Sequence, residues 1–242
     1  MKYINNAFNS IDDRRYRNWD GYSLVYTYDF IKSLEPHLDM NDINVIFDIG
    51  SRDGCQSMEL SDWFPEATIY LFEPVEHNFN YCKDIQVVNR GNIKPFKLAL
   101  SDTNGVVDFY EVINGNVGAS SLLKTKNENS HILNYGKQVK TTVESICGDI
   151  FMKNNMIESV DLIWMDVQGA ELLVLNGFTD NINNVKAIYT EVAVNSEYSN
   201  GTNKDELLDF MSRLNFKPIK YIGEPNQFTE LDIIFMNKKY IK

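Results

Sequence analysis

Val45-Ile46-Phe47-Asp48-Ile49-Gly50-Ser51-Arg52-Asp53-Gly54, followed by Leu71-Phe72-Glu73-Pro74, is the stretch that decides the fold. The first apolar run reads as a β-strand that enters a glycine-bearing turn and then a helix. The second strand ends in a carboxylate, Glu73, about 25 residues after Asp48, near the roughly 20 that separate these points in a nucleoside-binding βαβ unit. Strand, turn and helix in this order hold a cofactor at the carboxyl edge of a parallel sheet.

The turn also selects among cofactors. Asp48 stands where a dinucleotide site brings in a pyrophosphate, and an anion there repels an anion. A carboxylate suits a ligand that carries a sulfonium and an ammonium, as S-adenosylmethionine does. Gly50 and Gly54 give G-x-x-x-G, not the G-x-G-x-x-G of dinucleotide enzymes. Ile49, Gly50, Ser51 and Gly54 join Asp48 as expected cofactor contacts, the alternative being a tight turn without a ligand.

Outward from this unit, strands and helices alternate. The reading places a helix in Asp20–Leu38, able to cover the cofactor mouth, after a polar arm over residues 1–19. Strands follow at Asn44–Ile49, Ala67–Phe72, Pro95–Leu100, Val106–Val112, Gln138–Val143, Val160–Met165, Val185–Thr190, Phe216–Ile222 and Leu231–Met236. Helices are expected at Cys55–Phe64, Val75–Asp84, Glu144–Asn154, Ala170–Leu175 and Asp205–Leu214. The pattern implies an α/β layered domain, with residues 1–41 as arm and helix and 42–242 as the main domain. Residues 114–137 form a long connection, and connections of that length tend to be functional or mobile.

Ligands of open α/β sheets bind outside the carboxyl ends of the strands. The residues expected there are Asp48, Glu73, Ser101 with Asp102, Asp166 and Glu191, an acidic rim for a cationic ligand. Glu73 suits the hydroxyls of a ribose, and Pro74 fixes the turn beside it. Asp102 also suits a turn-shaping role in Ser101-Asp102-Thr103-Asn104-Gly105. Asp166-Val167-Gln168-Gly169-Ala170-Glu171 ends an apolar strand and starts a helix. Glu171 there either meets a substrate or complements the helix dipole.

Composition narrows the classes of partner. The 242 residues are 43% hydrophobic, enough for one core, and the formal net charge is −11. Such a chain gains no counterion-release energy from a phosphate backbone, so long nucleic acid is not an expected partner. Cys55, Cys82 and Cys147 are scattered and odd in number, which argues for a reducing compartment. No apolar run reaches the length of a membrane span, and no signal pattern opens the chain. A cytoplasmic protein is the expectation, with a homo-oligomer left open.

Together these residues resemble the FkbM family of S-adenosylmethionine-dependent methyltransferases. The matching pieces are Phe47-Asp48-Ile49-Gly50 with Gly54, Leu71-Phe72-Glu73-Pro74, Leu98-Ala99-Leu100-Ser101-Asp102, and Asp161-Leu162-Ile163-Trp164-Met165-Asp166-Val167-Gln168-Gly169-Ala170-Glu171-Leu172. Val174-Leu175-Asn176-Gly177 and Thr190-Glu191 continue the pattern, which spans about Val45 to Ala193. The resemblance implies a Rossmann-like class I methyltransferase fold, a seven-stranded, mostly parallel sheet whose last strand is antiparallel, with helices on both faces. It also implies methyl transfer to a hydroxyl of a sugar, glycan or related small molecule. Two positions depart from the family's pattern. Ser51-Arg52-Asp53 stands in a turn that usually reads Gly-Ala-Asn-x-Gly, and Gln168 stands where a Glu is usual.

For that chemistry the candidate general bases are Asp166 and then Glu191. Val167 joins the cofactor set, and Ser120, Ser121, Gln168 and Glu171 form the acceptor set. A divalent metal on Asp166 and Glu191 is a variant, since oxygen ligands suit a hard cation, but no third ligand is evident. The rival readings are ribose 2′-O-methylation of RNA, which would draw on Lys186 or Lys220, and a non-catalytic cofactor-binding module. A nucleotide-sugar oxidoreductase is disfavoured by the turn spacing and by Asp48.

Overall fold

A computed structural model describes residues 23–83, 91–223 and 230–241. The arm expected over residues 1–19 and the end of the helix expected at Val75–Asp84 therefore lie outside the described residues. The chain runs through α1 (Ser23–Leu34), β1 (Val45–Ile49), α2 (Cys55–Trp63), β2 (Thr68–Phe72), α3 (Glu76–Cys82), β3 (Ile93–Phe96), β4 (Ala99–Leu100) and β5 (Gly105–Ile113). It continues through β6 (Lys137–Ile146), α4 (Gly148–Asn154), β7 (Leu162–Met165), α5 (Glu171–Asn176), β8 (Ala187–Ala193), α6 (Lys204–Arg213), β9 (Phe216–Ile222) and β10 (Glu230–Asn237).

Seven strands form one sheet in the order β3-β2-β1-β7-β8-β10-β9. Its pairs are parallel except those of β10, which runs antiparallel to both β8 and β9. The seven-stranded, mostly parallel α/β sheet expected from the resemblance is present. Strand order reverses at β1, so the carboxyl ends of β1, β2 and β7 open a crevice at the topological switch point.

Period-two alternation sorts each central strand between two cores. Ile46, Leu71, Trp164, Tyr189 and Ile234 join Phe30, Ile31 and Leu34 of α1 and Leu60 and Trp63 of α2 on one face. Phe47, Phe72, Ile163, Ile188 and Phe235 join Phe151, Val174, Phe178, Leu207 and Met211 on the other. Because α1 shares the first core, residues 23–34 form one unit with the sheet. None of the described residues of this helix lines the cavity of the site; Phe30 packs edge-on against Trp164 and Tyr189 at 6.0 and 5.9 Å between ring centroids.

One carboxylate ties the opposite end of the sheet. Asp161 Oδ2 accepts from the backbone N–H of Asn44 (2.7 Å) and Val45 (2.9 Å), and Oδ1 pairs with Lys186 Nζ at 2.8 Å. Lys220 pairs with Asp29 at 2.7 Å. Both lysines considered for an RNA reading are thus engaged in structural pairs. At the start of α6, Asn203 and Glu206 form a capping box, which satisfies two otherwise unpaired N–H groups.

Element ends shift by a few residues from those read in the sequence, and two of the differences change the topology near the site. Pro95–Leu100 is not one strand: β3 stays in the large sheet, while Ala99–Leu100 crosses to pair with β6 in a second sheet ordered β4-β6-β5. The helix expected at Glu144–Asn154 begins only at Gly148, because β6 continues pairing with β5 to its end. Gly148 packs against a ring of the core, since a β-carbon there would lie 2.3 Å from Phe178. No helix of the described residues is long and apolar enough to cross a membrane.

Gly50 sets the crossing of β1 and β7. Its φ is +82°, and a β-carbon would fall 1.9 Å from the carbonyl oxygen of Asp166. Gly91, at φ +74°, has nothing within 4 Å of such an atom. Gly91→Ala should therefore cost only the left-handed penalty, about 1 kcal/mol. Gly50→Ala adds a clash with fixed backbone and should cost at least about 2 kcal/mol more. Denaturant unfolding of the two variants checks the difference.

Candidate active site

The crevice at the switch point opens into a cavity of about 710 Å³, within the roughly 300–1,000 Å³ of small-molecule sites. Its floor is the β1–α2 turn. Gly50 and Ser51 donate their backbone N–H groups to Phe72 O at 3.0 and 3.1 Å, which binds this turn to the end of β2. A glycine is required at position 50 because the chain there passes against β7.

Glu73 stands at one end of the cavity. Its carboxylate accepts from the backbone N–H of Arg52 (2.9 Å) and Val75 (2.8 Å), and from Asn78 Nδ2 at 3.4 Å. Burial raises it to about 7, against the pull of those hydrogen bonds. A carboxylate offers about four acceptor positions, so at least one is left for a ligand hydroxyl. Pro74 lines the cavity beside it.

At the other end lies an acidic cluster. Asp166 follows β7, and Glu191 lies within β8. Gln168 reaches both: its Nε2 donates to Asp166 Oδ1 at 2.9 Å and to Glu191 Oε1 at 3.3 Å. Gln168 takes φ +53°, and Gly169 after it takes +90°. Tyr198 Oη lies 2.8 Å from Ala119 O and 3.1 Å from Gln168 Oε1, with one hydroxyl proton between the two acceptors. Burial pushes Asp166 above the ordinary carboxylate range, with Gln168 and the charge of Arg52 opposing. The charge of Asp166, and then burial, pushes Glu191 well up.

A segment of the long connection forms one wall. Ser121 Oγ donates to Gln168 O (2.9 Å), and Ser120 Oγ accepts from Val112 N (3.0 Å). Ser130 Oγ donates to Glu197 Oε2 at 2.7 Å. The segment is thus strapped to the chain after β7 and after β8.

Of the residues expected at the site, Ile49, Gly50, Ser51, Glu73, Pro74, Asp166, Val167, Gln168, Glu191, Ser120 and Ser121 line this cavity. Five others do not. Asp48 shares its side of β1 with Ile46, so it turns toward α2, is fully buried, and accepts from Ser51 Oγ (2.6 Å) and Ser57 Oγ (2.5 Å). Burial raises it to about 6. It braces the turn and does not line the cavity. Gly54 is the N-cap of α2 at φ +82°. Ser101 bonds Ser145 Oγ at 2.7 Å, and Asp102 accepts from Thr103 Oγ1 at 3.0 Å, so both shape the turn before β5. Glu171 is buried and accepts from Gly169 N at 2.9 Å, closing the loop ahead of α5.

Several lining residues escaped the reading: His131, Trp164, Tyr189, Glu230 and Asp232, while Arg52, noted as a departure in the turn, was given no role. Glu230 and Asp232 begin β10, and an antiparallel strand brings its first residues to an edge where its neighbours present their last. The antiparallel last strand implied by the resemblance was the available signal. Asp232 is raised to about 7 by burial, against a hydrogen bond from Tyr189. Tyr189 in turn stacks on Trp164 at 3.6 Å between centroids.

The donor set suits S-adenosylmethionine. Glu73 offers an acceptor for ribose hydroxyls, the Gly50–Ser51 turn lines the floor between the two ends, and the acidic far end matches a cationic centre. Among the described residues, no group of three or more His, Cys, Asp or Glu side chains is placed to hold a metal ion.

Comparison with known proteins agrees with the geometry. The methyltransferase FkbM domain matches residues 46–218. The chain is 31% identical over 204 residues to the 2-O-methyltransferase NoeI of Sinorhizobium fredii, covering 81% of this chain and 80% of that protein. It is 24% identical over 149 residues to the hexuronic acid methyltransferase AglP of Haloferax volcanii, covering 62% of this chain and 56% of that one. Among solved structures, the N-terminal domain of human METTL16 in complex with SAH aligns with a TM-score of 0.49 at 11% identity, over 89% of this chain and 70% of that chain. With its family domain spanning both ends of the cavity, the chain belongs to the FkbM methyltransferase family and is an S-adenosylmethionine-dependent methyltransferase.

Proposed function

We propose that the acceptor is a hydroxyl of a sugar or glycan and that Asp166 takes its proton. The observation that carries this reading is the Asp166–Gln168–Glu191 arrangement at the end of the cavity opposite Glu73. A relative named as a hexuronic acid methyltransferase and one named as a 2-O-methyltransferase support a sugar acceptor. The cytoplasmic reading rests on the sequence and on three free cysteines.

S-adenosylmethionine supplies a methyl group activated on a sulfonium. The protein's share is positioning and proton handling. Glu73 and the Gly50 turn hold the adenosine end, and well-oriented reactants gain up to about 7–11 kcal/mol over free encounter. The acceptor hydroxyl must lose its proton as the new bond forms, so a base within hydrogen-bond reach is needed. Asp166 and Glu191 repel each other when both are ionised. The charge of each raises the other, and the charge of Arg52 and the bond from Gln168 oppose that rise at Asp166, so Asp166 is the first of the two to ionise. Glu191 then serves as the neutral partner. The Gln168 amide also bears on the metal variant: an N–H donor aimed at both carboxylates occupies oxygens that a cation would claim.

Five outcomes check this account. S-adenosylhomocysteine affinity should rise as pH climbs through about 7, where Glu73 ionises, and level off above. Glu73→Gln should weaken binding roughly 10- to 100-fold and flatten that rise, read by calorimetry at several pH values. Asp166→Asn should lower kcat by about 10²–10⁴-fold while cofactor affinity changes only a few-fold. Because the base must be ionised, activity falls as pH drops, and raised carboxyls place that fall nearer neutrality than an isolated Asp would. Gln168→Glu removes the donor and adds a charge, so the acidic limb of kcat/KM should move to higher pH.

A further inference from the structure

Arg52 is the sole Lys or Arg among the described residues that line the cavity, where Asp53, Glu73, Asp166 and Glu191 also stand. It sits at the tip of the β1–α2 turn with φ +54°, a left-handed conformation that suits Asn or Gly better than a long side chain. Its nearest carboxylate oxygen is Asp53 Oδ2 at 3.6 Å from Nη2, beyond hydrogen-bond distance, and its side chain is 44% exposed. Nη1 faces Gly118 of the strapped wall, where an added β-carbon would lie 3.2 Å away. Among the described residues, no acceptor answers the guanidinium's five N–H donors, although it lies in a cavity rich in carboxylates.

We propose that Arg52 is a carboxylate-binding subsite of the cavity. A planar guanidinium matches a planar carboxylate through two parallel N–H···O bonds. A phosphate dianion carries more charge into an acidic surround and is the poorer fit. Two carboxylates can arrive at this place. One is the aminoacyl end of S-adenosylmethionine, which rests only on the family's chemistry. The other is the uronate of an acidic sugar, which rests on the sugar reading above. The turn position favours the first source, and the contact with Gly118 of the wall favours the second.

The test uses Arg52→Asn, which suits the left-handed turn, and Arg52→Lys, which keeps the charge but not the fork. Calorimetry compares S-adenosylhomocysteine with 5′-methylthioadenosine, which lacks the carboxylate. Labelled-methyl turnover compares a methyl glucuronide glycoside with the corresponding methyl glucoside. The proposal expects Arg52→Asn to shift one of the two ratios against the carboxylate-bearing member by roughly 10- to 100-fold, with Arg52→Lys between it and the wild type. A shift in the first ratio assigns the donor's carboxylate, and a shift in the second assigns the acceptor's. Both ratios unchanged in both variants, whatever happens to absolute activity, would overturn the subsite. Wild-type protein that binds S-adenosylhomocysteine but methylates neither sugar would overturn the acceptor source and the sugar reading, and the calorimetric ratio alone would then decide.

Discussion

Gln168 donates one side-chain amide to two carboxylates, and the acidic edge of the cavity takes its arrangement from that contact. Asp166 and Glu191 come from neighbouring strands and would repel each other if both were ionised. Two unit charges about 4 Å apart in a medium of effective dielectric near 20 repel by about 4 kcal/mol, an effect of the size that makes two neighbouring acids lose their protons in separate steps. The amide holds the two oxygens toward one donor, and its own oxygen lies beside Tyr198. This also accounts for the departure at position 168. A Glu there would add a third negative charge, whereas Gln supplies the N–H that two acids need.

The backbone makes this contact available. Gly50 brings β1 against β7, so the turn that shapes one half of the cavity lies beside the carbonyl of Asp166. The wall segment is fastened to the same place, with Ser121 donating to the carbonyl of Gln168 and Tyr198 reaching Ala119. The turn, the proposed base and the wall therefore share a few backbone atoms around residues 166–169. A displacement there would be felt at both ends of the cavity.

Much of the fold was legible because its signals are local. Apolar runs, the turn after β1 and the carboxylate after β2 place most of the sheet, and the two ends of the cavity follow from Glu73 and Asp166. What was not legible depends on direction and on contacts distant in sequence. Asp48 looked like a ligand contact because it ends a strand, yet alternation puts it with Ile46 on the face that α2 covers. Ser101 and Asp102 follow β4, whose Ala99 and Leu100 line the cavity, but their own side chains are held in the turn before β5. Glu230 and Asp232 escaped for the converse reason, since they begin the antiparallel strand. Arg52 stood inside the most closely read segment, but only the fold shows that it is the cavity's lysine- or arginine-type cation.

The most direct test of the shared-proton account is a carbon-13 NMR titration of the Asp and Glu side-chain carboxyls, with Asp166 and Glu191 assigned by their amide variants. The account predicts that the two titrate as a linked pair, that Glu191 lies well above the ordinary carboxylate range, and that replacing Asp166 with Asn brings Glu191 down. Two independent titrations near pH 4, each indifferent to the other's replacement, would contradict it.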